Sequence, residues 1–167
     1  MRRLPLALLI LIVVVAGGIA IARVTSTPID GINCDFSEAA TYHVHAHLAI
    51  LVDGKAVAGP PASTGIHLEH LCLYWLHTHD STGIIHIEAP HRISPTLGNF
   101  FDIWGQPLDR QRVAAHIIGA GQALRVYVGP TPYNGNPRNI KLYEHTKVTL
   151  EIGPPFVAPP RVNWQGL

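Results

Sequence analysis

The residues of this chain best able to do chemistry are its histidines. There are 11 in 167 residues, and nine of them fall between His43 and His91. One stretch, Tyr74–Glu88, carries His77 and His79 two residues apart, then Asp80-Ser81-Thr82-Gly83, then a short apolar run with His86 and Glu88. Residues alternate faces along a β-strand, so His77 and His79 point the same way, with Trp75 beside them. Asp80–Gly83 is turn chemistry, rich in side-chain oxygens and ending in glycine. A hairpin closed by those four residues pairs His79 with Ile84, His77 with His86 and Trp75 with Glu88. Directly opposed residues share a face, with Cβ atoms about 4.5–5.5 Å apart. Three imidazoles then converge on one patch beside a carboxylate, which is a metal site in outline.

A second stretch, Tyr42–Val52, reads as a strand ended by the two-residue hairpin signal Asp53-Gly54. His43, His45, His47, Ala49 and Leu51 share one face; Val44, Ala46, Leu48, Ile50 and Val52 share the other. The second face is core, and the first turns apolar midway, so the strand suits the covered interior of a sheet. His43 and His47 are four residues apart, about 13 Å along a strand rising roughly 3.3 Å per residue. One ion bound at about 2.0–2.1 Å by each nitrogen cannot take both. At most two of His43, His45 and His47 serve one ion, and the third is a second site, a supporting group or a surface histidine.

Two arrangements follow. In the first, His77, His79 and His86 hold the metal and a water or substrate takes the fourth position, an open geometry that suits catalytic zinc and also Cu(II). This layout is similar to the ligand set of α-type carbonic anhydrases, where a His-x-His pair and a third histidine come from adjacent strands. The likeness covers those residues alone and implies an open coordination position. In the second, the strand at 43–47 packs beside 75–79 and histidines from both complete a closed site, structural or for storage and transfer. Glu88 orients a ligand imidazole or acts as a general base; Asp80 is explained by its turn. Crowded imidazoles repel one another when protonated, and a metal removes that cost by requiring them neutral. A pH sensor is the non-metal alternative. His67, His70, His91, His116 and His145 read as surface or hydrogen-bonded residues.

The metal is Zn(II) or Cu(II). No methionine other than Met1 exists, so a thioether Cu(I) site is excluded, and imidazole suits both divalent ions. The two cysteines, Cys34 and Cys72, are expected to form a disulfide, as pairs in exported domains do.

The elements around these residues are organised simply. Residues 1–23 are an apolar segment behind Arg2 and Arg3, either a transmembrane anchor or a signal peptide with a small-x-small site at Ala20-Ile21-Ala22. Either reading places the remainder outside the cytoplasm, periplasmic or extracellular, membrane-anchored or secreted. Residues 24–41 form a linker, 42–153 a histidine-rich β domain, and 154–167 a proline-rich tail. Ala123–Val128 and Lys147–Ile152 alternate as strands. Leu97, Phe100, Phe101 and Trp104 recur at helical spacing between Thr96 as cap and Gly105 as stop. The fold class is mostly β, a compact antiparallel sandwich or barrel with one short helix, whose Phe/Trp stripe plugs the sheet.

Net charge is +1 and charged residues make up only 14%, with no basic stripe, so nucleic acid is not a partner. Neither a nucleophile triad, a phosphate-cradling glycine loop nor a dinucleotide fingerprint is present. The reading is an extracytoplasmic protein that binds a divalent transition metal through histidines. The alternatives are a metal-dependent hydrolase or lyase with an open three-histidine site, and a β interaction module with a structural metal.

Overall fold

The computed structural model describes residues 27–38, 41–67 and 72–167. The apolar segment 1–23 and His70 lie outside the described residues, among which no helix is long and apolar enough to cross a membrane. In chain order the elements are β1 (Cys34–Asp35), β2 (Tyr42–Val52), β3 (Lys55–Ala56), β4 (Ile66–His67), β5 (Cys72–Tyr74), β6 (Leu76–His77), β7 (Ile84–Ala89), α1 (Leu97–Trp104), β8 (Arg112–Val113), β9 (His116–Ile117), β10 (Ala123–Val128), β11 (Thr131–Pro132) and β12 (Thr146–Gly153). Among the described residues the fold is mostly β with one α-helix, as its alternating segments predict.

The main sheet runs β11-β10-β12-β2-β7-β6, with β3 hairpinned onto β2. Strand β2 is central because both of its faces are covered in the middle: Ala46, Leu48 and Ile50 are buried on one side, His45 and Leu51 on the other. Its edges are paired with β12 and β7. The β2–β12 pair is parallel, with Ile50 opposite Leu150, a departure from the antiparallel pattern expected. A parallel neighbour needs a long crossover, and the path from β2 to β12 supplies one by passing through β7, α1 and β10. At the Asp53-Gly54 turn both residues take positive φ, 49° and 72°, the twist that suits a two-residue hairpin.

Helix α1 begins and ends where local chemistry dictates. The Thr96 side chain accepts from the Asn99 N–H, the Asn99 side chain reciprocates, and Gly105 closes the helix with φ 69°. Its apolar stripe buries Leu97, Phe100, Phe101 and Ile103 in one core with Leu76, Ile85, Ile87, Ala46 and Leu48. Those sheet residues occupy alternate positions to the histidines, so the helix packs on the face opposite to them.

The segment 24–41, read as linker, contributes β1 to a small sheet β1-β5-β4. Cys34 and Cys72 are bonded across it, with Cα atoms 5.3 Å apart. Closing a loop of this size contributes about 4 kcal/mol in the chain-entropy model. Residues 67–73, whose weak periodicity fits a loop or a helical turn, begin in strand β4 and end in strand β5. Arg112–Ile118, which fits either period, is the small hairpin β8–β9.

Candidate metal centre

The histidine face is a grid laid over three neighbouring strands. Strand β7 lies between β2 and β6. Its His86 is the register partner of His45 on one side and of His77 on the other. Its Glu88 faces His43 of β2, and its N–H donates to the Trp75 carbonyl (2.9 Å). The hairpin register expected from the turn is therefore the observed one at His77–His86, although the paired strands stop at His77 and resume at Ile84. The strand at 43–47 does not pack beside 75–79 as expected; residues 84–88 lie between them and join the two.

The turn fixes that register. Thr82 N–H donates to Asp80 Oδ1 (2.8 Å), which makes Asp80 a turn former. Leu48 N–H donates to the Gly83 carbonyl (2.9 Å). Gly83 has φ 90°, and a Cβ there would stand 2.3 Å from the Leu48 carbonyl oxygen. Only glycine lets the turn lie this close against β2.

Two groups of donor atoms result. His77, His79, His86 and Glu88 each offer one ligand atom within 4.8 Å of the others, and so do His43, His45 and His86. His77 Nε2 lies 3.2 Å from His79 Nε2, and His43 Nε2 lies 3.0 Å from His45 Nε2. Two nitrogens bound to one tetrahedral ion at about 2.0–2.1 Å stand about 3.3 Å apart, so both pairs have nearly the spacing of ligands on a common ion. His77 is oriented for that role: its Nδ1–H donates to the Tyr74 carbonyl (2.9 Å), which leaves the Nε2 lone pair free to bind. His86 Nδ1 is buried and has no hydrogen-bond partner. Glu88 Oε1 is 3.0 Å from His43 Nε2, 3.5 Å from His86 Nδ1 and 3.9 Å from His77 Nε2.

Electrostatics follows from burial. His77 is only 1% exposed and Glu88 4%. Burial lowers His86 to about 3, and the charges of His79, His45, His77 and His43 act the same way. Burial likewise lowers His45, with His43 next in effect, and lowers His77 against the opposing bond to the Tyr74 carbonyl. Burial raises the Glu88 carboxyl, opposed by His43. The three rings are thus held neutral, the state a metal requires, and a cation in their midst would favour the charged form of Glu88, against the effect of burial.

His47 stands outside both groups. Its Nε2–H donates to the Thr82 carbonyl (3.2 Å), in keeping with the spacing argument against three ligands from one strand. The remaining described histidines are dispersed. His91 packs edge-on to Trp75, His67 to Tyr74, and His145 stacks on Trp164 beside Glu144; His116 sits in β9.

Sequence reasoning missed Glu38, whose Oε1 lies 3.3 Å from His79 Nε2, and Glu144, whose charge acts on His45. Neither carries a local signal, because each reaches the histidines through long-range folding. Comparison of the chain with known protein families, curated proteins and solved structures yields no match.

Proposed function

We propose that the chain is an extracytoplasmic metal-binding protein that coordinates Zn(II) or Cu(II) through this histidine face. The observation that carries the reading is the group His77, His79, His86 and Glu88, whose four ligand atoms lie within 4.8 Å of one another. Four donors is the complement of a tetrahedral ion, and a set rich in imidazole suits zinc and copper. The cysteines are bonded to each other, so no thiolate competes. The disulfide fits an oxidising compartment, and the apolar segment 1–23 is the means of export, remaining as a membrane anchor if uncleaved.

A second reading, a metal-dependent hydrolase or lyase, is favoured by one observation. The His43 and His79 side chains are 44% and 41% exposed, so the outer edge of the face is open to a water or substrate. In that reading Glu88 is the general base. An interaction module built on the helix stripe is less supported, since Phe100 and Phe101 are fully buried and serve the core.

Elemental analysis and competition titration of the purified chain are expected to find at least one tightly bound equivalent of Zn(II) or Cu(II). A His77→Ala/His79→Ala/His86→Ala variant is expected to lose it. Equal binding by the two proteins would remove the basis of the reading.

A further inference from the structure

The six side chains His43, His45, His77, His79, His86 and Glu88 outnumber the four ligands of one tetrahedral ion. They also divide spatially. The close pair His43–His45 lies on β2 and the close pair His77–His79 on the other side of β7, at 3.0 Å and 3.2 Å between Nε2 atoms. Hydrogen bonding between neutral rings can join each pair, but it leaves the buried His86 Nδ1 between them with no hydrogen-bond partner, with Glu88 Oε1 at 3.5 Å.

We propose that the face holds two divalent ions, one on His77 and His79 and one on His43 and His45, bridged by the Glu88 carboxylate. The proposal rests on the metal-binding reading above. Glu88 Oε1 is 3.0 Å from His43 Nε2 and 3.9 Å from His77 Nε2, so one carboxylate on the middle strand reaches both pairs. His86 belongs by distance to either group and completes one of the ions. Five imidazoles, with Glu88 giving one oxygen to each ion, supply seven donors, one short of the eight that two tetrahedral ions take. The eighth position is left to water or an exchangeable oxygen ligand on the solvent-facing side of the site, where His43 and His79 are exposed. Ions bridged in this way lie about 3.5–4 Å apart and can clamp one oxygen ligand between them.

The test uses the full chain, purified in detergent, stripped of metal and titrated with Cu(II) and, in parallel, Zn(II). Two equivalents of either ion are expected. With two equivalents of Cu(II), the integrated electron paramagnetic resonance signal is expected well below two spins, because the bridge couples the pair. A His43→Gln/His45→Gln variant is expected to keep one equivalent with a full, uncoupled spin. Saturation at one equivalent overturns the second ion and leaves the metal-binding reading standing, whereas no binding at all overturns that reading. Two equivalents showing two full spins, or surviving His43→Gln/His45→Gln, overturn the bridged pair. The stoichiometry and spin count of the unaltered chain decide the matter even if the variant fails to fold.

Discussion

The inner row and the outer corners of the histidine grid are built differently. His45, His86 and His77 are cross-strand partners in one line across β2, β7 and β6, and all three rings are held below their ordinary pKa chiefly by burial. His43 and His79 sit at opposite corners, nearly half exposed, each completing a pair with an inner ring. The inner row is thus neutral and positioned before any ion arrives, which lowers the cost of assembling ligands. The outer rings face solvent, the side from which an ion would enter. Burial sets the first group and accessibility the second, although the side chains are the same.

The largest effect that tests this division is on the metal-free fold. His77→Ala removes a buried ring and leaves the Tyr74 carbonyl without its donor. Cavity formation and the orphaned acceptor together cost about 2–4 kcal/mol. His79→Ala, at an exposed corner, is expected to change stability by no more than about 0.5 kcal/mol. Urea unfolding of the two variants, stripped of metal, measures both. Similar losses would mean that the inner row is not structurally distinct.

How much of this was legible in the sequence depends on the range of the contacts. Thr96 and Gly105 bound helix α1 through bonds to residues within four positions, so spacing and cap chemistry predict it. The His77–His86 register follows from a turn eight residues long at most, and it too was readable. The pairing of His45 with His86 joins residues 41 apart, and many registers of β2 would have satisfied its apolar face equally well. Alternation says which face His45 occupies but not which strand lies beside it. The parallel β12 and the approach of Glu38 to His79 are likewise products of the whole fold. The sequence therefore showed the hairpin half of the site, and left hidden that β7 is shared by both histidine clusters.

A smaller effect distinguishes the inner row by pH. His86 titrates at about 3 in the folded protein and near its ordinary value of about 6.5 in the unfolded chain. Between those values the unfolded state binds the extra proton, so stability falls as pH falls. From this ring alone the loss is about 1.4 kcal/mol for each pH unit below about 6.5. His45 and His77, lowered in the same direction, add to it. The unfolding free energy of the metal-free protein, from urea titrations, is expected to drop between about pH 6.5 and about pH 5 by roughly 2 kcal/mol on account of His86. A His86→Gln variant is expected to lose that part of the slope. An unaltered slope in the variant would show that burial does not hold this ring neutral.

The smallest effect concerns the outer corner. Glu38 and His79 approach to 3.3 Å with side chains 48% and 41% exposed, so water screens their attraction. Exposed ion pairs are worth about 0–1 kcal/mol, and Glu38→Gln is accordingly expected to weaken metal binding by about fivefold at most. By contrast, Glu88→Gln removes a buried carboxylate within reach of three imidazoles, and its effect is expected to be larger by an order of magnitude or so, since a carboxylate's attraction for a bound cation strengthens where water is excluded. Competition titration of the two variants side by side places the boundary between buried and exposed parts of the site. If Glu38→Gln were the more damaging, the negative charge governing the ion would lie at the solvent edge. The buried carboxylate on β7 would then be a structural partner of His43 alone.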